Sequence, residues 1–259
     1  MRLGAYAVLA LVAFVLVGSW TGQAARGGAM LLVIGAVAAL AAVGGSWLRR
    51  RREAELRAFA TSAGWTYSPR DPGLGLATLQ TRPPFGQGSR RTVTEVLTGA
   101  SEGRPAVSFT YGWTTGTGDE SREHRAHVVA LGLPAYLPIL EVTPEGLGAR
   151  VAKALGARDL ELESAEFNAA YRVDAPDART GHAILHPRTL ERLLQPDALG
   201  LAWRIEGTWL VSWEPGGTDT ARIAPRLGVM SAVVRGVPRH VWQDHGHDPA
   251  ATIAGHPEP

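Results

Sequence analysis

The chain has 259 residues, with 26 basic and 24 acidic side chains and no cysteine. The lack of cysteine excludes disulfides, thiol catalysis and cysteine-bound metals. The first 52 residues carry six arginines and no acidic residue, so the remainder carries 20 basic and 24 acidic side chains. The excess of basic over acidic side chains therefore lies in the N-terminal segment. A nucleic acid is not an expected partner, because binding one requires a basic face on the folded domain.

Two apolar runs, Leu3–Trp20 and Ala29–Leu48, contain no charged side chain. Each run is long enough to cross a bilayer as a helix, which would satisfy its own backbone hydrogen bonds. The positive-inside rule places Arg2 and Arg49–Arg52 in the cytoplasm and Arg26 outside. We therefore expect a two-helix transmembrane hairpin over residues 1–52 in the cell membrane. A cleaved signal peptide is the alternative for the first run, and two buried helices of a soluble core are the alternative for both.

An arginine cluster follows the second run directly and consists of Arg49, Arg50, Arg51 and Arg52. It fixes the predicted topology and is expected to contact anionic lipid headgroups. Small residues in the second run are typical of close helix contacts in membranes, so the chain could self-associate there.

The rest of the chain is predicted to form a cytoplasmic α+β domain with an antiparallel sheet, because runs of strands are followed by helices. Residues 53–91 are expected to form a juxtamembrane helix and an irregular loop from Ser68 to Arg91, and residues 92–242 the domain. Residues 243–259 are expected to form a polar, disordered tail.

The predicted strands alternate apolar and polar residues or are rich in β-branched and aromatic side chains. They are Trp65–Tyr67, Thr92–Thr98, Arg104–Thr114, His124–Leu133, Leu137–Val142, Asp159–Glu163, Tyr171–Asp174, Trp203–Glu206 and Trp209–Glu214. The second and third strands are expected to form a hairpin. Gly207 and Thr208 suit the turn of another hairpin, between the last two strands. Pro138 and Pro144 predict that Leu137–Val142 lies at a sheet edge.

The predicted helices follow the 3.6-residue period of apolar side chains. They are Arg51–Gly64, Leu147–Leu155, Asp177–Leu185, Pro187–Gln195 and a C-terminal amphipathic helix marked by Ile223, Leu227, Met230 and Val234. Pro187 suits a first helical position. Pro225 is expected to kink the last helix or to delay its start.

No catalytic motif is complete. The G-x-S-x-G pattern at Gly99–Gly103 lies between two strands, whereas a nucleophilic serine needs a strand-to-helix turn. His182 and His186 are four residues apart, but Ala183 stands where a zinc protease has its glutamate. Other weak candidates for metal ligands are His240, His245 and His247. We expect no catalytic residue, cofactor or designed metal site.

The segment from Leu162 to Leu194 contains Glu166-Phe167-Asn168, a short strand, and the sequence Pro-Arg-Thr-Leu-Glu-Arg-Leu-Leu from Pro187. These residues resemble a motif of bacterial membrane-anchored proteins of unknown function, in a GC-rich bacterial branch of that family. The resemblance implies an anchor followed by a domain, and no activity. Ser164 is expected to cap a turn, and Phe167 to fill the core.

We therefore expect a membrane-anchored protein whose cytoplasmic domain binds a protein partner or a small ligand. One alternative is a membrane-associated hydrolase whose histidines and carboxylates are assembled by the fold. Another is a structural scaffold of the cell envelope.

Overall fold

The computed structural model describes residues 23–71, 81–145 and 160–248. The helices are α1 Gln23–Ala63, α2 Ala165–Ala170, α3 Ala178–Ile184, α4 Pro187–Leu193, α5 Thr220–Gly236 and α6 Arg239–Asp244. The strands are β1 Thr66–Arg70, β2 Ser89–Ser101, β3 Arg104–Thr115, β4 Arg122–Pro144, β5 Tyr171–Asp174 and β6 Ala202–Pro215. A short 3₁₀ helix, Gly118–Glu120, lies between β3 and β4. The chain divides into two compact units, Met1–Glu55 and Leu56–Pro259.

The predicted second apolar run, Ala29–Leu48, lies within α1. Among the described residues, no helix is long and apolar enough to cross a membrane. The prediction of two transmembrane helices is therefore wrong. The apolar run is part of a longer helix that continues through the charged residues Arg49–Arg52 and ends at Ala63, before Gly64, whose φ is +67°. The first run, Leu3–Trp20, lies outside the described residues.

The arginine cluster forms part of the middle of α1 rather than the end of a membrane span. Arg49, Arg50 and Arg51 are exposed, and Arg52 is half-buried. Nε of Arg51 lies 3.3 Å from Oε1 of Glu55, one turn further along the helix. The prediction that these arginines fix the topology is not tested by the structure and stays a prediction. Their contact with anionic headgroups stays a prediction.

The sheet is antiparallel throughout, which confirms the predicted α+β class. Its strands follow the order β1-β2-β3-β4-β5, and β6 also pairs with β4. One side of the sheet packs against the helices in the larger core cluster, which joins Leu97 and Leu131 to Leu190 and Leu227. The second apolar cluster includes Val107, Phe109 and Tyr111 of β3 and Phe85 of the segment 81–88. Two cores therefore flank one sheet.

The predicted hairpin of the second and third strands is confirmed as β2 and β3. Glu102 and Gly103 both have positive φ, at 49° and 74°, and Ser101 pairs with Arg104. A two-residue turn with positive φ at both positions matches the right-handed twist of its strands. The G-x-S-x-G pattern therefore forms a hairpin turn.

The predicted edge strand Leu137–Val142 is the second half of β4, and it pairs with β5 and β6. The edge placement is wrong. Pro138 lies in an irregularity of the ladder between Leu137 and Leu140. A missing backbone donor is tolerated at such a point, and Pro144 stands at the end of the strand, so neither proline interrupts regular pairing.

The segment β6 turns back on itself at Gly207, whose φ is +67°. The Ser212 hydroxyl donates to the Ala202 carbonyl over 2.8 Å. Ten residues of straight strand would span about 33 Å, so the two halves of β6 must lie side by side. Trp203, Ile205 and Leu210 belong to the larger core, as expected when opposed residues of a hairpin share a face. The turn predicted at Gly207 is thus confirmed within one extended segment.

Several other elements differ from the predictions. Residues 160–164 do not form a strand, although the Leu160 amide donates to the Val173 carbonyl over 2.9 Å. The predicted helix Leu147–Leu155 lies outside the described residues. Helix α5 begins at Thr220, with Asp219 as its N-cap, so Pro225 lies inside it. Strands β1 and β2 reach into the segment predicted as an irregular loop, of which residues 72–80 are not described. The last described helix, α6, extends over the first two residues assigned to the tail.

Candidate functional site

A cleft of about 600 Å³ opens where both ends of β4 and both ends of β6 meet. The register explains this meeting, because Ala126 pairs with Pro215 and Val142 pairs with Trp203. The fold-back of β6 then brings its two ends together. The segment 81–88 contributes another part of the lining, through Pro83 and Pro84. The lining combines aromatic and aliphatic side chains with three glutamates and one arginine.

Trp113 and His124 form one wall of the cleft, and the buried rings of Tyr111 and Phe85 support Trp113 from within the fold. Phe85 lies 4.9 Å from Tyr111, measured between ring centroids, and Tyr111 lies 5.5 Å from Trp113. Trp113 stacks on His124 at 5.2 Å with only 16° between the ring planes. The Thr115 hydroxyl lies 2.7 Å from Nε2 of His124 and fixes that ring. Ring pairs at these distances contribute about 0.5–1.5 kcal/mol each, so they stabilise this wall.

A fully buried arginine, Arg204, lies behind the cleft. Its Nη1 donates to Oε2 of Glu141 over 3.1 Å, and its Nε lies 3.1 Å from Oε2 of Glu206. The guanidinium carbon is 5.1 Å from the ring centre of Trp213, which lines the cleft. The two carboxylates and the ring of Trp213 hold this guanidinium in one position.

The carboxylate of Glu141 is the polar group that Arg204 presents to the cleft. Glu141 is 7% exposed and belongs to the lining. Burial raises the pKa of Glu141, and the nearby Arg204 and Arg82 oppose that rise. Burial also lowers the pKa of Arg204, against the effect of its two carboxylates. A perturbed carboxylate at the edge of a concave site marks a candidate functional residue.

The segment 81–88 is tied to the same charge network. The backbone amide and hydroxyl of Thr81 both donate to Oε1 of Glu206, over 3.0 and 2.6 Å. Arg82 forms an ion pair with Asp174 of β5. The Pro83 carbonyl accepts a hydrogen bond of 3.0 Å from Arg204. These contacts hold the segment against the sheet and so keep the cleft open in one shape.

A serine, a histidine and a glutamate lie in line on the helix-covered side of the sheet. The hydroxyl of Ser108 is 2.9 Å from Nε2 of His127. Nδ1 of His127 is 3.4 Å from Oε1 of Glu214. This sequence of contacts resembles the order of groups in a hydrolytic triad.

The hydrogen bonds of His127 are nevertheless wrong for a general base. Its Nδ1 accepts from the Asp219 amide over 3.3 Å, so Nε2 carries the proton and donates to Ser108. A catalytic histidine needs the opposite tautomer. Burial lowers the pKa of His127 to about 3, and both Ser108 and His127 are fully buried. The group is therefore a structural polar network within the fold.

The histidines predicted as weak metal candidates do not meet. His182 and His240 are exposed, and His245 is half-buried. Nε2 of His186 lies 2.9 Å from the Gly236 carbonyl, and His247 packs edge-on against Trp242. Across residues 23–71, 81–145 and 160–248, no three histidine, aspartate or glutamate side chains lie close enough together to hold a metal ion. The histidine at the cleft is His124.

The residues of the predicted sequence motif lie away from the cleft and support the chain locally. Ser164 is the N-cap of α2 and accepts from the Phe167 amide over 3.2 Å. Phe167 is fully buried, whereas Glu166 is exposed. Asn168 forms two hydrogen bonds with the backbone of Leu162. Pro187 is at the start of α4.

Sequence reasoning missed the buried charge network at the cleft, which consists of Glu141 in the lining and Arg204 and Glu206 behind it. A signal was present, because Glu141 and Arg204 stand inside predicted strands between apolar residues, and Glu206 ends one. A charge facing inward from a strand is costly unless it is paired. The sequence could not show which charges pair, because 63 residues separate Glu141 from Arg204.

Comparisons with known proteins add little to this geometry. No family model matches the chain, and no curated protein matches it. Among solved structures, the crystal structure of the mycobacterial trehalose monomycolate transport factor A, TtfA, is similar over 71% of this chain and 94% of that chain. The two chains are 14% identical, and the TM-score is 0.49. At this level of similarity the role of TtfA is not carried over.

Proposed function

We propose that the unit from Leu56 onward is a binding domain for a small organic ligand with a largely apolar, ring-bearing body. The observation that carries the proposal is the cleft of about 600 Å³ between the stacked wall of Trp113 and His124 and the buried pair of Glu141 and Arg204. Cavities of about 300–1,000 Å³ with mainly apolar walls and a few polar groups are typical of small-molecule sites.

The arrangement of charges supports binding with a defined orientation. A buried ion pair is often no more stabilising than apolar residues of the same volume, so its presence needs another reason. Here the carboxylate of Glu141 reaches the cleft while Arg204 holds it in place. A hydroxyl or amino group of the ligand can donate to that carboxylate, and the apolar body can lie against Trp213.

The same arrangement supports binding without chemical change. Glu141 is bonded to Arg204, and the His127 network is buried with its imidazole in the wrong tautomer for a base. A general base must reach the proton that it removes, and neither group is free to do so.

The test uses the neutral fluorescent probe N-phenylnaphthylamine, which is apolar and contains two linked ring systems. We expect the full chain to bind it with one-to-one stoichiometry and with a large rise in fluorescence. Thr143 lines the cleft and is half-buried, so Thr143→Trp fills the space. This change should weaken binding at least about tenfold, equivalent to a loss of about 1.4 kcal/mol.

Tyr136→Ala is the control, because Tyr136 is 65% exposed and lies outside the cleft lining. This variant should bind the probe as the unchanged chain does. Circular dichroism should show the same folded signal for both variants. Equal probe binding by the unchanged chain and Thr143→Trp would contradict the proposal.

A further inference from the structure

A second, smaller cavity of about 200 Å³ adjoins the cleft. The two cavities share Gly200, Ala202, Trp213 and Glu214 in their linings. The remaining lining of the smaller cavity includes Ala221 and Arg222 in the first turn of α5, and Arg226 one turn later. A ligand in the cleft can therefore extend one group past Trp213 toward α5.

The guanidinium of Arg226 is only 4% exposed, yet it is poorly satisfied. Among the described residues, its Nε and Nη2 have no hydrogen-bond partner. Nη2 lies 3.7 Å from Oε2 of Glu214, which is too long for a hydrogen bond, and Nη1 reaches the His127 carbonyl at 3.4 Å. Buried donors without partners are costly, so a further acceptor beside this guanidinium would lower that cost.

The charged groups around the smaller cavity have an excess of positive charge, which one anion can balance. Arg222 lies 2.7 Å from Oε2 of Glu214, so one carboxylate is shared between Arg222 and Arg226. Asp197 is occupied by two hydrogen bonds from Arg192, of 2.8 and 2.7 Å. Asp219 also acts on Arg226, but it caps α5 by accepting from the Ala221 amide and is not part of the lining.

Two further features favour a negative group at this place. The first turn of α5, a helix of 17 residues, faces the cavity through Ala221 and Arg222, and the amino end of a helix attracts anions. Burial lowers the pKa of Arg226 to about 10, so the arginine stays charged at neutral pH.

We infer that the smaller cavity is the anion subsite of the proposed ligand site, and that it binds a carboxylate, sulfonate or phosphate on the ligand through Arg226 and Arg222. The inference rests on the proposed function, because the apolar body of the ligand must lie in the cleft. It narrows the ligand class to small acids with an apolar, ring-bearing body.

The test compares two probes that differ in a single sulfonate group. N-phenylnaphthylamine is neutral, and anilinonaphthalene sulfonate adds one negative charge to the same rings. We expect the unchanged full chain to bind the sulfonate probe about tenfold more tightly, since a hydrogen bond to a charged group contributes more than a neutral one. Arg226→Gln should remove that difference and leave binding of the neutral probe unchanged.

Arg239→Gln is the matched control, since it removes the same charge from an exposed arginine on α6. It should preserve the preference for the sulfonate probe. Arg222→Gln provides a second test at an exposed arginine if Arg226→Gln fails to fold, and it should weaken the sulfonate probe selectively.

The outcomes separate the two proposals. If the neutral probe binds in the cleft but the sulfonate probe binds no more tightly, the anion subsite is wrong and the cavity holds only water. The same conclusion follows if Arg226→Gln and Arg222→Gln both keep the preference. If neither probe binds to the unchanged chain, the proposed function itself fails.

Discussion

At the residue scale, Arg204 is the side chain on which most of the cleft network depends. It contacts Glu141, Glu206 and the backbone of the segment 81–88 from a fully buried position. Arg204→Ala would remove the close counter-charge of two buried carboxylates, and Glu141 would keep only Arg82, at 3.9 Å. We expect it to lower the free energy of unfolding by about 3–5 kcal/mol, measured by urea denaturation.

The control for this prediction is Arg239→Ala. Arg239 pairs with Asp248 at 3.0 Å, but both side chains are about half exposed. Exposed pairs contribute about 0–1 kcal/mol. A cost for Arg204→Ala as small as that of Arg239→Ala would show that the buried network does not support the fold.

His127 gives a second prediction at the residue scale, through pH. Its pKa is lowered to about 3 in the fold from 6.5, mainly by burial. Between these values the unfolded chain takes up a proton at His127 and the folded chain does not, so stability falls as the pH falls. The histidine contributes a slope of about 1.4 kcal/mol for each pH unit in this window.

His127→Gln should remove that slope, because glutamine does not titrate. Urea denaturation of both chains at several pH values between 3 and 6.5 measures the difference between their unfolding free energies. The carboxylates are the same in the two chains, so their contributions largely cancel in this difference. Parallel stability curves for the two chains would mean that His127 becomes protonated within the fold.

At the element scale, the motif Glu166-Phe167-Asn168 acts through α2 and the segment before it. Asn168 donates to the Leu162 carbonyl over 2.7 Å and accepts from the Leu162 amide over 3.3 Å, while Leu162 is buried. Asn168→Ala leaves these backbone groups without partners. We expect a loss of about 1–3 kcal/mol of unfolding free energy, measured by thermal or urea denaturation.

Glu166→Ala is the comparison within the same motif, because Glu166 is exposed. Its effect should stay within about 0.5 kcal/mol. Both variants should bind N-phenylnaphthylamine as the unchanged chain does, since the motif lies away from the cleft. Loss of probe binding in a folded Asn168→Ala variant would instead connect the motif to the ligand site.

The same scale shows what the sequence could predict. The alternation of apolar and polar side chains predicted the strands well. In β3, Phe109 and Tyr111 face one core while Ser108 and Thr110 face the other side. Turn chemistry located the turn at Gly207. The pairing of β4 with both β5 and β6 was not predictable, since it depends on contacts between distant segments. For the same reason the sequence indicated an edge for Leu137–Val142 and could not show that the strand ends meet around a cleft.

At the scale of the whole molecule, the boundary at Leu56 has a physical cause. Leu56 and Ala60 are 0% and 3% exposed and belong to the core that the helices and sheet share, although they lie on α1. The last turns of α1 are therefore part of the second unit, Leu56–Pro259.

This boundary yields a prediction about fragments. The fragment 53–259 keeps Leu56 and Ala60, so we expect it to fold with the full core. The fragment 64–259 lacks both residues and should be less stable by at least about 2–5 kcal/mol, the cost of truncating one buried leucine. Urea denaturation followed by circular dichroism compares the two fragments directly.

Leu56→Ala in the longer fragment should reproduce much of the loss, since it removes the same packing without shortening the chain. If both fragments and the substituted chain unfold at the same urea concentration, α1 ends outside the core, and the domain begins at the sheet.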